Sequence, residues 1–263
     1  MRVVYMGRKP TASEGLKHLI QKRVTVVVVV APPKDQPVHW KNRLSDTAES
    51  YGIPTASDED LYRYLREGNR KDYTFSLEDI DLVISVLFWK RIKRPLIELP
   101  KIGCINFHPA PLPEYRGFAP YSFGIYENQS HWGVSAHFVD ETFDTGDIIK
   151  TRTFKIDPRQ ETAFSLEQKS QVFLLELFDE VIDELLQKGT LPRAPQDIGR
   201  LRTKEDFENL RRIQSGDTAE EIERKVRAFW YPPYSGAAVE IGGREYTLVS
   251  EELLEELGKK YHK

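Results

Sequence analysis

The segment VTVVVVV, Val24–Val30, decides the fold class of this chain. It is apolar at nearly every position, so both faces of the strand that it forms must be covered. Strands of this kind are typical of parallel sheets with helices on both sides, and the β-branched side chain of valine suits a strand. The segment therefore predicts an interior parallel strand.

Similar apolar segments lie before and after this one and alternate with helix-like segments. One helix is predicted to end near Gly52, and KRPLIELP, residues 93–100, predicts a short crossover helix. Alternating strands and helices are typical of an α/β fold with a doubly wound, mostly parallel sheet. The predicted strands are Arg2–Met6, Val24–Val30, Asp81–Trp89 and Ile102–Phe107.

The rest of the chain predicts a small C-terminal extension on this domain. Two strands in residues 133–156 precede a long amphipathic helix, Phe164–Lys188. Beyond it, a capping box formed by Thr218 and Glu221 begins a helix, and a Gly-Gly turn joins two strands into a hairpin. The predicted division is a catalytic domain at 1–190, a linker rich in proline and glycine at 191–204 and a helix-hairpin subdomain at 205–263.

The composition narrows the classes of protein to consider. A formal net charge of −3 at pH 7 gives no electrostatic sign of a nucleic-acid or membrane partner. The single cysteine, Cys104, cannot form an internal disulfide, which favours a reducing compartment. The longest apolar run has about ten residues and ends in prolines, so it is too short to span a bilayer. We therefore expect a cytoplasmic protein without a nucleic-acid partner.

The stretch INFHPAPLPEYRG, Ile105–Gly117, begins at the end of the last strand of the predicted parallel sheet and continues into a loop. Ligands of such sheets bind beyond the carboxyl ends of the strands, which is where this loop lies. Its prolines favour extended backbone over helix and stiffen the loop. An ordinary rigid turn is the alternative that these residues alone leave open.

Asn106, His108 and Asp144 lie on loops at this edge and have side chains suited to acyl transfer. An amide and a cationic imidazole can stabilise an oxyanion, while a carboxylate handles protons through water. Each residue also has a structural alternative, since a histidine can simply hydrogen-bond a loop and Asp144 precedes Thr-Gly in a turn. No serine or cysteine stands in a nucleophile motif such as GxSxG.

Two other kinds of site have weaker support in the sequence. A metal site would use His108, His131, His137 and Asp144, but their spacing matches no metal-binding motif, so we expect no metal. The turn after the first strand lacks the GxGxxG dinucleotide motif, although Arg8 and Lys9 in this turn are placed to meet a phosphate. Two solvated cations are the alternative.

The two separated motifs INFHPAPLPEYRG and VDETFDTGDII resemble those of the 10-formyltetrahydrofolate-dependent formyltransferase family. The shared pattern is Asn-x-His, then Leu-Pro and an aromatic-Arg-Gly, with Asp-Thr-Gly further along the chain. The resemblance covers about residues 1–190. It implies a formyltransferase-type Rossmann-like fold and Asn106, His108 and Asp144 as catalytic residues.

The resemblance also implies a site for the folate co-substrate. Family members hold the pterin ring with the loop that corresponds to LFWKRI, and residues 140–143 form the opposite wall. The stretch APLP corresponds to the family's Ser-Leu-Leu-Pro, so Ala110 here lacks the hydroxyl of the usual serine. The implied cofactor-binding residues are Phe88, Trp89, Lys90, Ile92, Ala110, Pro111, Leu112, Pro113 and Asp140.

Within the family, the C-terminal part resembles the extension of sugar N-formyltransferases through KVRAFWYPPYSGA and GREYTL. This resemblance implies formylation of a nucleotide-linked amino sugar, destined for cell-surface glycans such as the lipopolysaccharide O-antigen. Arg8, Lys9 and Arg116 are then candidate contacts of the substrate diphosphate, with a bracing role as the alternative for Arg116. A methionyl-tRNA formyltransferase, whose C-terminal domain is usually larger and basic, and a formyltetrahydrofolate hydrolase remain alternative functions. The aromatic loop at residues 229–234 also suggests a homodimer surface.

Overall fold

A computed structural model describes residues 1–68 and 73–261 of the chain. Its central sheet has seven strands in the order β3-β2-β1-β4-β5-β7-β8. The strands are β1 Arg2–Gly7, β2 Thr25–Val30, β3 Thr55–Ala56, β4 Leu82–Val86, β5 Gly103–His108, β6 Arg116–Gly117, β7 His131–Phe138, β8 Ile148–Lys155, β9 Leu201–Arg202, β10 Ala238–Ile241 and β11 Arg244–Thr247. The helices are α1 Lys9–Gln21, α2 Leu44–Ser50, α3 Asp58–Glu67, α4 Pro120–Tyr126, α5 Ala163–Lys188, α6 Lys204–Leu210, α7 Ala219–Ala228 and α8 Glu251–Tyr261.

The sheet has the mostly parallel, doubly wound architecture that the valine run predicts. Strands β1 to β5 are parallel, whereas β7 runs antiparallel to β5 and β8 antiparallel to β7. Val28, Val29 and Val30 of β2 are all fully buried, because hydrophobic clusters cover both faces of the sheet. Helices α1, α2 and α5 lie on one face, and α3 lies on the other.

Two local predictions about this sheet are wrong. Residues 93–100 form a hydrogen-bonded turn rather than a crossover helix, since Pro100 has no N–H to continue the bonds and disfavours helical backbone at the residue before it. The strand predicted to end at Phe107 continues to His108. Asn106 and His108 therefore belong to β5 and not to a loop. Because alternate residues of a strand face the same way, both side chains lie on one face of the sheet.

The C-terminal extension packs beside α4 and the start of α5. The capping box of α7 is present, with Thr218 and Glu221 bonded reciprocally, and β10 and β11 form the predicted antiparallel hairpin. Phe229, at the end of α7, is buried in a cluster with Trp132 and Leu166. The aromatic loop therefore joins the extension to the first part of the chain.

The segment predicted as a linker follows the surface of the first domain closely. Ala194 forms an antiparallel bridge with Ile148, and β9 pairs in parallel with β6. These bonds bring residues 194–202 alongside the motif that contains Arg116 and Gly117. Among the residues that the structure describes, no helix has the length and apolar character needed to cross a bilayer.

Candidate active site

A row of hydrogen-bonded polar side chains crosses three neighbouring strands near their ends. The register pairs Ser85 of β4 with Asn106 of β5, and Asn106 with His137 of β7. Ser85 Oγ donates to Asn106 Oδ1 at 2.7 Å, and Asn106 Nδ2 donates to His137 Nε2 at 3.1 Å. His137 Nδ1 in turn donates to the carbonyl of Phe138 at 2.7 Å. These bonds fix the Asn106 amide and leave its second N–H for a ligand.

His108 is buried on the same face of β5 as Asn106. Its Nε2 donates to the carbonyl oxygen of Tyr115 at 2.8 Å, which leaves Nδ1 facing Asp144. Burial lowers the pKa of His108 below its ordinary value, while Asp144 and the Tyr115 carbonyl act in the opposite direction. The ring is therefore neutral in the resting site, with Nδ1 able to accept a proton.

The carboxylate of Asp144 lies between two histidines. Oδ1 is 3.7 Å from His108 Nδ1 and 3.5 Å from His137 Nε2, and Oδ2 accepts the Gly117 N–H at 3.0 Å. Burial alone raises the pKa of this carboxyl, but its attraction to a proton on His108 and the Gly117 N–H outweigh burial and hold the pKa well below its ordinary value. Asp144 is therefore ionised, and its charge favours a protonated His108.

The structure thus brings together the three predicted residues Asn106, His108 and Asp144. One amide donor, one titratable imidazole and one carboxylate meet at the carboxyl end of the parallel strands. This set can polarise a carbonyl and move a proton without a covalent enzyme intermediate.

Several groups of this site were not predicted as parts of it. Ser85 and the Tyr115 carbonyl lie in no recognisable sequence motif, and the sequence suggests His137 only as a metal ligand. A sequence signal for His137 exists in the pairing of β5 with β7, because it lies directly opposite Asn106. That register becomes known only when the antiparallel neighbour of β5 is identified.

The alternative of a metal centre has no geometric support. His131 begins β7, is exposed and contacts Ser130, away from the other three proposed ligands. Within residues 1–68 and 73–261, no group of three or more His, Cys, Asp or Glu side chains is arranged to hold a metal ion.

The residues assigned to the pterin site lie just beyond β4. Phe88 and Trp89 are half-buried with their ring centroids 4.7 Å apart, and Ile92 is buried in the cluster beneath them. Lys90 points away, because its ammonium contacts Asp58 at 2.6 Å and Glu59 at 2.9 Å. This loop can offer apolar rings and backbone groups to a flat heterocycle, as the resemblance implies.

The remaining residues assigned to folate are held by polar contacts. Ser135 Oγ donates to the carbonyl of buried Ala110 at 2.9 Å and accepts the Leu112 N–H at 3.1 Å, while Pro111 and Pro113 are half-buried beside them. The Asp140 carboxylate accepts Thr145 Oγ1 at 2.6 Å and thereby closes the turn at residues 140–145. Its side chain is thus already engaged within that turn.

Arg116 makes the contacts of a brace. Its guanidinium donates to the Phe143 carbonyl at 2.8 and 3.0 Å and to the Gly199 carbonyl at 2.7 Å. The residue is buried, so these contacts favour its bracing role over a contact with substrate phosphate.

Arg8 and Lys9 are adjacent but differ in how their charges are compensated. Lys9 Nζ contacts the buried Glu167 carboxylate and donates to Tyr231 Oη at 2.7 Å, so it ties α1 to α5 and to the aromatic loop. Arg8 Nε donates to the Leu87 carbonyl at 3.0 Å. In the described part of the chain, no carboxylate forms an ion pair with Arg8.

The replacement Lys9→Met should destabilise the protein by about 3 kcal/mol, since it leaves the Glu167 carboxylate buried without its cation. Chemical denaturation of the purified variant measures this loss. The control Lys188→Met removes an exposed partner of Glu184 and should leave the unfolding midpoint nearly unchanged. Equal effects of the two variants would contradict a role for Lys9 in joining these elements.

Asp144 should also make stability depend on pH. A carboxyl whose pKa is lower in the folded than in the unfolded chain stabilises the fold above its unfolded pKa of about 3.9, and this contribution disappears as pH falls through the folded pKa. Denaturation across acidic pH should therefore give a flatter profile for Asp144→Asn than for the wild type. Parallel profiles would show that the histidines and Gly117 do not stabilise the carboxylate.

Comparisons with known proteins identify the family of this chain. Residues 1–182 match the formyl transferase family. A methionyl-tRNA formyltransferase from Geobacter metallireducens is 30% identical in an alignment that covers 98% of this chain and 82% of the relative. It belongs to a group of bacterial methionyl-tRNA formyltransferases with similar identity.

Solved structures share the fold. A 4-N formyltransferase from Francisella tularensis superposes with a TM-score of 0.74 and 24% identity, covering 95% of this chain and 97% of the other. An N-formyltransferase from Helicobacter canadensis, solved with folinic acid and dTDP-3-aminofucose, superposes with a TM-score of 0.70 and 22% identity over 92% of this chain and 84% of the other. The chain therefore belongs to the formyl transferase family and is a folate-dependent formyltransferase.

Proposed function

We propose that the protein transfers the formyl group of 10-formyltetrahydrofolate to the primary amine of a nucleotide-linked amino sugar. The observation that carries the acyl-transfer chemistry is the convergence of Asn106, His108 and Asp144, with His108 Nδ1 3.7 Å from Asp144 Oδ1. The pterin ring binds the loop at residues 88–92, and the formyl carbon lies beside Asn106 and His108.

The reaction begins when the unprotonated amine attacks the formyl carbon. The new carbon–nitrogen bond creates an oxyanion, which accepts hydrogen bonds from the free N–H of Asn106 and from His108. His108 becomes a donor at Nδ1 only after it gains a proton, which comes from the amine through water held at Asp144. The bond to N10 then breaks, N10 takes this proton, and tetrahydrofolate leaves.

The unpaired charge of Arg8 supports an anionic substrate. Burial lowers the pKa of its guanidinium, and the nearby Tyr231, Tyr234 and Tyr121 act in the opposite direction. A half-buried cation without a carboxylate costs free energy that a bound anion recovers. A cleft beside it is lined by Pro32, Val38, Trp40 and Arg43.

Structural likeness favours sugar substrates over tRNA. The solved sugar N-formyltransferase from a Shewanella species aligns over 95% of this chain and 97% of its own, with a TM-score of 0.73. The sequence relatives named methionyl-tRNA formyltransferase make methionyl-tRNA the second candidate acceptor. The cytoplasmic location, the homodimer, the domain boundaries and the place in O-antigen synthesis stay predictions.

A thermal-shift panel tests the choice of acceptor. Ligands that bind the folded state raise the melting temperature by mass action. We expect a rise with one of dTDP-, UDP- or GDP-linked amino sugars in the presence of 5-formyltetrahydrofolate, and a smaller rise with the free nucleotide. A rise with methionyl-tRNA and with none of the sugar nucleotides would favour the second candidate.

A further inference from the structure

The segment at residues 194–202, which we call the strap, runs along the back of the Asp144 turn. At one end Ala194 and Ile148 exchange backbone hydrogen bonds of 2.8 and 3.0 Å. At the other end the Phe118 N–H donates to the Arg202 carbonyl at 2.9 Å as β9 pairs with β6. Both ends of the strap are therefore fixed to strands that surround the site.

Between these ends, the side-chain amide of Gln196 points into the turn that carries Asp144. Its Nε2 donates to the Gly146 carbonyl at 2.6 Å and to the Asp144 carbonyl at 3.2 Å. Two carbonyl acceptors determine the orientation of the amide, because the flipped form would set an oxygen against both. Its Oε1 is buried and has no hydrogen-bond partner in the described part of the chain. The burial of this unpaired oxygen is a cost that the two donated bonds must offset.

The turn that Gln196 contacts has a backbone that needs support. Asp144 has a φ of +56°, which costs a residue with a Cβ more than it costs glycine. Gly146 cannot be replaced, since a Cβ there would lie 2.0 Å from the Phe138 carbonyl oxygen. The two carbonyls that Gln196 binds are those of Asp144 and Gly146 themselves.

From this geometry we infer that Gln196 is a positioning residue, which holds the Asp144 carboxylate against His108 and His137. It touches neither histidine, and it acts through the backbone of residues 144–146. The inference rests on the proposed catalytic role of Asp144. A displacement of about 1 Å at a catalytic group can lower a rate a hundredfold, so a secondary support of this kind has a measurable effect.

Gln196→Met tests this inference because it keeps the length of the side chain and removes both donors. We expect kcat to fall about tenfold to a hundredfold with little change in KM for 10-formyltetrahydrofolate. Ile198→Ala is the matched control on the same strap, since Ile198 is 86% exposed and should retain wild-type kcat. Wild-type kcat in Gln196→Met would overturn the inference.

A conservative variant distinguishes a misplaced Asp144 carboxylate from a general loss of structure. In Gln196→Glu the ionised carboxylate repels the two carbonyls, while the protonated form donates to one of them. Burial beside two carbonyl oxygens raises the pKa of the new carboxyl above its ordinary value of about 4.3, so the deficit relative to the wild type should shrink as pH falls from about 8 to about 5. A deficit of the same size at every pH would contradict positioning.

An NMR titration of the histidine rings gives a readout that does not require turnover. If Asp144 moves in Gln196→Met, the ring of His108 loses its nearby negative charge and its pKa falls, as it should in Asp144→Asn. Unchanged titration of His108 would overturn the inference. If the wild type transfers no formyl group, the proposed function fails, but this titration still decides the role of Gln196.

Discussion

The variant His108→Ala is expected to lower kcat about a hundredfold to a thousandfold while the protein remains folded. The imidazole supplies a donor to the oxyanion only when Nδ1 is protonated, because Nε2 is bonded to the Tyr115 carbonyl. Alanine removes this donor and also leaves the Asp144 carboxylate without one of its two histidines. The variant should therefore bind both substrates yet turn them over slowly.

Single-turnover kinetics with saturating substrates measure this loss. His131→Ala is the matched control, since His131 is exposed and its ring Nδ1 lies 3.1 Å from Ser130 Oγ, away from the site. It should retain wild-type turnover. Near-normal turnover of His108→Ala, or an equal loss in both variants, would contradict the assignment of His108.

The variant Arg8→Met is expected to raise KM for the sugar nucleotide about thirtyfold or more. Removal of one partner from a partly buried, hydrogen-bonded charge pair costs about 2 kcal/mol or more, and each 1.4 kcal/mol corresponds to a factor of ten. KM for 10-formyltetrahydrofolate should change far less, although Arg8 also supports the Leu87 carbonyl. The KM for the sugar nucleotide should therefore rise much more than the KM for 10-formyltetrahydrofolate.

Steady-state kinetics with each substrate varied in turn measure this difference. Arg23→Met, beyond the opposite end of α1, removes an exposed arginine and is the control for the change in net charge. It should leave both KM values unchanged. An equal rise in the two KM values for Arg8→Met would assign Arg8 to the folate loop instead of to the substrate anion.

The fold follows from patterns that act over short distances. The valine run of β2 is stable only when both faces of the strand are buried, as they are in this sheet. The capping box of α7 needs only hydrogen bonds within its own first turn. The segment at 93–100 has the apolar content of a helix, but Pro100 ends it after a single turn. Sequence patterns therefore predicted the sheet better than its connections.

Sequence patterns could predict those site residues that lie close together on one strand or within one motif, but not those that only the tertiary fold brings to the site. Asn106 and His108 are two residues apart, so one strand sets them on the same face. His137 depends on the antiparallel register between β5 and β7, and Gln196 depends on the course of the strap. Proline and glycine in that segment indicate an irregular backbone but do not indicate what it contacts.

The most direct test of the proposed reaction follows the release of tetrahydrofolate spectroscopically, with and without amino-sugar nucleotides. We expect release only when an acceptor is present, together with an equal amount of N-formylated sugar nucleotide detected by mass spectrometry. The geometry around Asn106, His108 and Asp144 would then account for transfer to an amine. Release at the same rate without any amine would mean that water takes the formyl group, and it would contradict the proposed transfer.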